Sequence, residues 1–223
     1  MAPELPDPPR GTKARTGIMM EALPFPDGRF GAVISQFGFE YGSTVDAASE
    51  ICRVLVAGGS VGLMTHRQDG PILVQNLSRR SQIRWALEER GLVDLAKKSL
   101  QLRASGLATV PAAISAAPDE GARLYGQGSA AWEIAEAVRQ TLVLGKRDHP
   151  ANVARLLDTI SAKASNELGR IASLEAACSR TAAADEFIHA IEVGGLTQKE
   201  IRAVREPING SAFADFRTLT KSR

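Results

Sequence analysis

Cysteine, histidine and aromatic residues are all scarce in this chain of 223 residues. Its two cysteines, Cys52 and Cys178, stand far apart. That spacing excludes a disulfide framework or a metal-spaced cluster and reads as two thiols in a reducing compartment. The histidines His66, His149 and His189 show no ligand spacing such as HExxH, so no metal centre is expected. With only 5% aromatic residues, the core must be aliphatic and alanine-rich, which favours helices. No run approaches the ~18 apolar residues of a membrane span. The opening MAPELPDPPRGTKAR lacks the apolar middle of a signal peptide. A cytoplasmic protein without a membrane partner is the expectation. An excess of one charge is missing too. The 27 Lys+Arg against 25 Asp+Glu give a net +2, which argues against a basic nucleic-acid scaffold and an acidic tail protein.

What is present is a 44% hydrophobic content, enough for one domain, or for one core carrying a helical insertion. Residues 1–15 hold four prolines without periodicity and read as a loop or disordered lead-in. Thr16–Met20 is a short, mostly apolar run that predicts a strand. The turn Pro24-Phe25-Pro26-Asp27-Gly28 separates it from Phe30–Gln36, a buried strand of the parallel type. Ser43-Thr44-Val45-Asp46 matches a capping box, so a helix should start near Thr44. It should stop at Ala57-Gly58-Gly59 and lead into a strand at Ser60–Thr65. This is the rhythm of a βαβ unit.

From about Pro71 the pattern turns helical. Residues 72–102 read as one long or broken helix, and 103–121 as softer because of Pro111 and Pro118. Trp132, Ala135, Val138 and Leu142 form a helical stripe ended by Gly145. A longer stripe follows Asp148-His149-Pro150: Val153, Leu157, Ile160, Ala164, Leu168, Ile171, Leu174 and Cys178. It marks a core or bundle seam. A last helix near Ala184–Val193 stops at Gly194-Gly195. Strands at Ile201–Ile208 and Ala212–Leu219 flank Asn209-Gly210-Ser211, a hairpin signal. The domain reading is a lead-in at 1–15, a partial sheet at 16–72, a helical insertion at 73–183, and a helix with a β-hairpin at 184–223.

The segments EALPFPDGRFGAVISQFGFEY and AASEICRVLVAGGSVGLMT resemble class I S-adenosylmethionine-dependent methyltransferases of the type 11-like kind. Glu21, Leu23-Pro24-Phe25, Asp27, Phe30, Val33, Glu50, Arg53-Val54-Leu55 and Gly58-Gly59 fall in step with the family pattern over about residues 17–72. The resemblance implies an α/β fold: a partial Rossmann-like methyltransferase sheet, a large helical insertion covering the substrate site, and a C-terminal antiparallel hairpin. It implies S-adenosyl-L-methionine as cofactor and a small-molecule methyl acceptor as partner. It assigns Met19, Met20, Glu21 and Ala22 to the adenine side and Ser35, Gln36 and Phe37 to the methionine side. Ligands of open α/β sheets sit beyond the carboxyl ends of the strands.

The sequence also departs from the family. No glycine-rich loop and no acidic strand end precede Leu23, Met19 stands where a polar adenine contact is usual, and Gly31 follows Phe30. The expectation is a chain missing its first two strands, with weak or no cofactor binding on its own. It is read either as a fragment of a longer reading frame or as a degenerate relative. The alternative function is a non-catalytic helical interaction protein, with a homodimer through the helical region as its expected partner.

Two catalytic candidates follow. His66, after the strand at 60–65, reads as a substrate contact or proton acceptor, against an ordinary loop histidine. Tyr41, beside Glu40, reads as a substrate contact, against a packed tyrosine next to a capping carboxylate. Glu50 and Arg53 read as a solvated helix pair, Arg79, Arg80 and Arg84 as a solvated basic face, and His189 as half-buried structure.

Overall fold

The structure, a computed structural model, describes residues 10–103 and 109–221. The chain is mixed α/β and forms two compact units, one built from the residues up to Gly70 together with those from Ala176 onward, the other from Pro71–Glu175. The expected insertion of 73–183 thus ends earlier, because residues 176–182 group with the sheet.

The sheet unit holds four strands: β1 (Phe30–Gln36), β2 (Leu55–His66), β3 (Leu196–Arg205) and β4 (Ala212–Lys221), in the order β1-β2-β4-β3. β1 and β2 run parallel, joined by helix α1 (Thr44–Val54). The β3–β4 hairpin adds antiparallel to β2, with His66 opposite Ala214 and Leu63 opposite Arg217. Leu55, Val61, Leu63, Leu196 and Leu219 form one apolar face. On it pack Ala47, Ala48 and Ile51 of α1, and Phe187 and Ile191 of helix α7 (Ala184–Val193). Gly194 after α7 has a second job besides stopping the helix. A Cβ there would fall 2.4 Å from the Ala48 Cβ and 2.9 Å from the Ser49 nitrogen, so only glycine lets α7 end against α1.

Several expectations need correction here. Thr16–Met20 is not a strand; residues 10–19 are exposed, and Gly17 takes a positive φ of 71°. Among the described residues β1 pairs with β2 alone, so the run has no ladder to join. Helix α1 ends at Val54, before Ala57-Gly58-Gly59. The glycines instead lie within β2, where the pairing jumps from Phe30↔Leu55 to Ala32↔Ser60. Gly58, at φ 73°, lets those extra β2 residues bulge out. The capping box is altered as well. The Ser43 hydroxyl donates to Asp46 Oδ2 at 2.6 Å, while the Ser43 amide is taken by Glu21 Oε1 at 3.0 Å. His189 is exposed, not half-buried.

The second unit is all-helical: α2 (Pro71–Arg84), a π-turn at Trp85–Glu89, α3 (Leu92–Arg103), α4 (Ala112–Tyr125), α5 (Ala130–Leu144) and most of α6 (Pro150–Ala182). The stripe read from Val153 to Leu174 is its seam, with Val153, Leu157, Ala164, Ile171 and Leu174 buried and Ile160 and Leu168 half-buried against them. The stretch read as softer at 103–121 is helical from Ala112, with Pro118 inside α4; its residues 104–108 lie outside the described residues. Proline removes one helical hydrogen bond, but Ile114, Ala117 and Gly121 are buried, and tertiary packing overrides the local preference. The basic face of α2 is paired: Arg79 meets Glu133 and Glu167, and Arg80 meets Glu175 at 2.5 Å.

Candidate functional site

The carboxyl ends of β1 and β2 carry a cluster that begins with a strained residue. Phe37, just after β1, has a φ of +54°, a left-handed conformation that costs a non-glycine residue about 1–2 kcal/mol. Its amide donates to the Met64 carbonyl at 2.8 Å, which turns the chain across the sheet end. Next comes a 3-10 turn, Phe39–Tyr41, supported by the Phe39 amide donating to Ser35 Oγ at 3.1 Å. Phe39 points into the core, edge-on to Phe187 at 6.0 Å. The next residue, Glu40, is therefore carried inside, and its side chain is fully buried.

Glu40 Oε1 lies 2.7 Å from His66 Nδ1 and also accepts the His66 amide at 3.0 Å. A carboxylate only accepts, so Nδ1 carries the ring proton and Nε2 is the basic nitrogen. Among the described residues Nε2 has no hydrogen-bond partner. The ring is enclosed by Phe37, with centroids 4.3 Å apart, and by the Tyr41 edge at 5.9 Å. Two residues at the end of α6 hold the pair from behind. Arg180 donates to the Glu40 carbonyl, and the Thr181 hydroxyl donates to the His66 carbonyl at 2.8 Å.

One residue earlier, Thr65 leaves the opposite face of β2. Its hydroxyl accepts from Arg217 Nη1 at 2.7 Å. Arg217 is buried, stacks over Phe187 at 5.1 Å, and has Asp215 at 3.9 Å. Burial pulls its guanidinium below the ordinary arginine range, offset in part by Asp215 and Glu40. Arg217 Nε and Glu40 Oε2 are buried without partners, an unusual pair of orphans for one cluster. Beside Arg217 opens a cavity of about 460 Å³, also lined by Arg67, Asp69, Thr181 and Asp215. Arg67 binds Asp69 at 2.8 Å and Asp215 at 2.7 Å. The Arg67 hydrogen bond holds the Asp69 carboxyl below its usual range.

Of the residues singled out from the sequence, the structure gathers His66, Tyr41 and Phe37 into one cluster. Ser35 supports it from below. Glu21 borders the same loop: its carboxylate, which takes the Ser43 amide, lies so close to Gly42 that a Cβ there would fall 2.1 Å from Oε1. Met20 packs against the sheet core. Met19 is 67% exposed, and Ala22 and Gln36 are exposed as well, so these three are not drawn into the cluster. Glu40 as the partner of His66, and Arg217, Thr181 and Asp215, are the residues the sequence did not single out for roles here.

Glu50 and Arg53 also differ from the expected solvated pair. Arg53 donates to the Phe25 and Leu23 carbonyls at 2.8 and 2.9 Å and to Asp27 Oδ1 at 2.7 Å, and Glu50 Oε2 accepts the Leu23 amide at 2.8 Å. Together they clamp the Leu23–Asp27 turn onto α1. The Arg53 hydrogen bond lowers the Glu50 carboxyl to about 2.

Among the described residues no group of three or more His, Cys, Asp or Glu side chains is placed to hold a metal ion. No helix there is long and apolar enough to cross a membrane. Compared with family models and with curated proteins, the chain matches none.

Proposed function

We propose that this chain carries the acceptor-side half of an S-adenosylmethionine-dependent methyltransferase site acting on a small molecule, with weak cofactor binding by the 223 residues alone. The observation that carries the reading is the Glu40–His66 pair at the carboxyl end of the parallel strands β1 and β2, the end where ligands of such sheets sit. Support comes also from the Glu50–Arg53 clamp. The residues that carry the family resemblance, Glu50 and Arg53 on one side and Leu23, Phe25 and Asp27 on the other, hold one another in place.

The donors and acceptors near β1 fit the polar groups of the cofactor's amino-acid half. Ser35 has a hydroxyl proton to give and Gln36 an exposed amide, while on the adenine side Glu21 has a second carboxylate oxygen. Bound there, the cofactor would supply an electrophilic methyl group on a sulfonium sulfur. The chain's own contribution is proton handling and orientation. Glu40 fixes the tautomer, His66 Nε2 accepts the acceptor's proton, and the rings of Phe37 and Tyr41 pack against the imidazole and orient it.

Titration of the purified chain with S-adenosylmethionine, followed by calorimetry and amide NMR, tests this. The expected result is binding weaker than low micromolar, with shifts at Ser35–Phe37 and Met20–Glu21. Low-micromolar affinity overturns the weak-binding part; no localised shift at millimolar cofactor overturns the cofactor reading.

A second reading, a non-catalytic interaction protein, is favoured by β1 itself. The strand FGAVISQ is a sheet edge with no charge and no proline, and its Ile34 is 79% exposed. Natural edges are usually blunted, so an unblunted one suits a pairing partner.

A further inference from the structure

The helical unit has a gap in its seam. Its buried apolar residues fall into two clusters, one around Leu142, Val153 and Leu157, the other around Ile83, Ala130, Ala164 and Ile171. Between them lies a groove of about 410 Å³, within the range of small-molecule sites. Its walls are three helical stripes. α5 contributes positions 130, 133, 134 and 137, α6 contributes 160, 163, 164 and 167, and α2 contributes 79 and 83. Each of the two longer stripes covers two turns, about 10 Å.

The space exists because the facing positions are small. Ala130, Ala137 and Ala164 stand where leucines would close the seam, and Ile83, Ile134 and Ile160 supply the remaining apolar floor. The rim is charged. Both of its carboxylates are already matched: Glu167 by Arg170 at 3.0 Å and Arg79 at 3.2 Å, and Glu133 by Arg79 at 3.5 Å. Lys163 is exposed on the same rim and makes no ion pair within 4.0 Å among the described residues. Two turns of apolar floor with one unmatched cation at the edge complement a short amphiphile.

We infer that the α2–α5–α6 groove binds a small monoanionic amphiphile, an apolar body of about 10 Å ending in a carboxylate that meets Lys163. The inference stands on the helical unit alone and does not depend on the methyltransferase reading.

The test uses octanoate and octanol as probes on the full chain, with amide NMR titration and thermal melts. Saturable octanoate shifts should be confined to the three stripes. Ala164→Leu should abolish them while holding or raising the melting temperature, because the leucine fills the gap the ligand would fill. Ala137→Leu, at a half-buried position, gives the same readout should Ala164→Leu fail to fold. Lys163→Gln should weaken octanoate about fivefold, the upper range for one exposed charge, and leave octanol unchanged. Shifts spread over the whole chain, octanoate binding unchanged in the filled variants, or equal loss of both probes in Lys163→Gln would each overturn the proposal.

Discussion

The two units solve the problem of an interior in opposite ways. Among the described residues, seven polar or charged side chains are buried, and six of them (Glu40, Thr44, Thr65, His66, Thr181 and Arg217) belong to the sheet unit. The helical unit has only Ser99, whose hydroxyl bonds the Ala96 carbonyl of its own helix at 2.7 Å. Its core is alanine, leucine, isoleucine and valine with one tryptophan, Trp85. A buried polar set costs stability unless every member is satisfied, and this one leaves three atoms orphaned, Glu40 Oε2, Thr44 Oγ1 and Arg217 Nε. The helical interior, by contrast, is organised by volume, and its irregularity is a groove rather than an unpaired charge.

The contrast breaks most sharply at Leu157, which is fully buried in the helical core. Leu157→Ala should cost about 3 kcal/mol through lost burial and a cavity, read as a lowered urea midpoint, with the His66 ring signals unmoved. Next in size is Glu40→Gln. It keeps the volume and one acceptor oxygen but removes the carboxylate's charge from two N–H groups that share it, so a loss of about 1–2 kcal/mol is expected. Nitrogen NMR of the His66 ring should show the Nδ1–H tautomer no longer enforced; an unchanged tautomer would show that Glu40 does not set it.

A smaller difference separates two variants of one residue. Phe37→Gly and Phe37→Ala both remove the ring stacked on His66, but only glycine relieves the left-handed backbone. The glycine variant should be the more stable of the two by about 1 kcal/mol. Equal stabilities would mean the turn relaxes.

The mildest effect is acid loosening. Glu50 and Glu136 are both lowered to about 2, by hydrogen bonds from Arg53 and Arg139 respectively. A carboxyl depressed in the folded state contributes stability above its ordinary value, which is lost as pH falls toward the depressed one. For both groups that window runs from about 4.5 down to about 2. Glu136 meets partners on its own helix, Arg139 and Gln140. Glu50 instead reaches Leu23, 27 residues away. The exchange protection factor at Leu23 should therefore fall on acidification while those of the α5 amides hold, and Glu50→Gln should remove that pH dependence.

Local patterns carried much of the fold. The β1 bounds Phe30–Gln36, the α7 bounds Ala184–Val193 and the α6 seam follow from β-branched runs, glycine stops and a 3.6 period, all of which act within a few residues. Thr16–Met20 misled because an apolar run makes a strand only where a neighbour offers a ladder. Pro118 misled because burial of Ile114 and Ala117 outweighs one lost hydrogen bond. The candidate site was legible only in part. His66 and Tyr41 stood out by their place after strands. Glu40 joins His66 across 26 residues, Thr181 joins it across 115, and Arg217 joins Thr65 across 152. Pairings of that range leave no periodic signal.

The last turn of α6 sets an angular phase. Arg180 and Thr181 are neighbours in sequence, about 100° apart around the helix, and each grips one half of the Glu40–His66 pair through a carbonyl. The phase of that single turn ties the loop after β1 to the end of β2, so neither half of the Glu40–His66 pair shifts without the other.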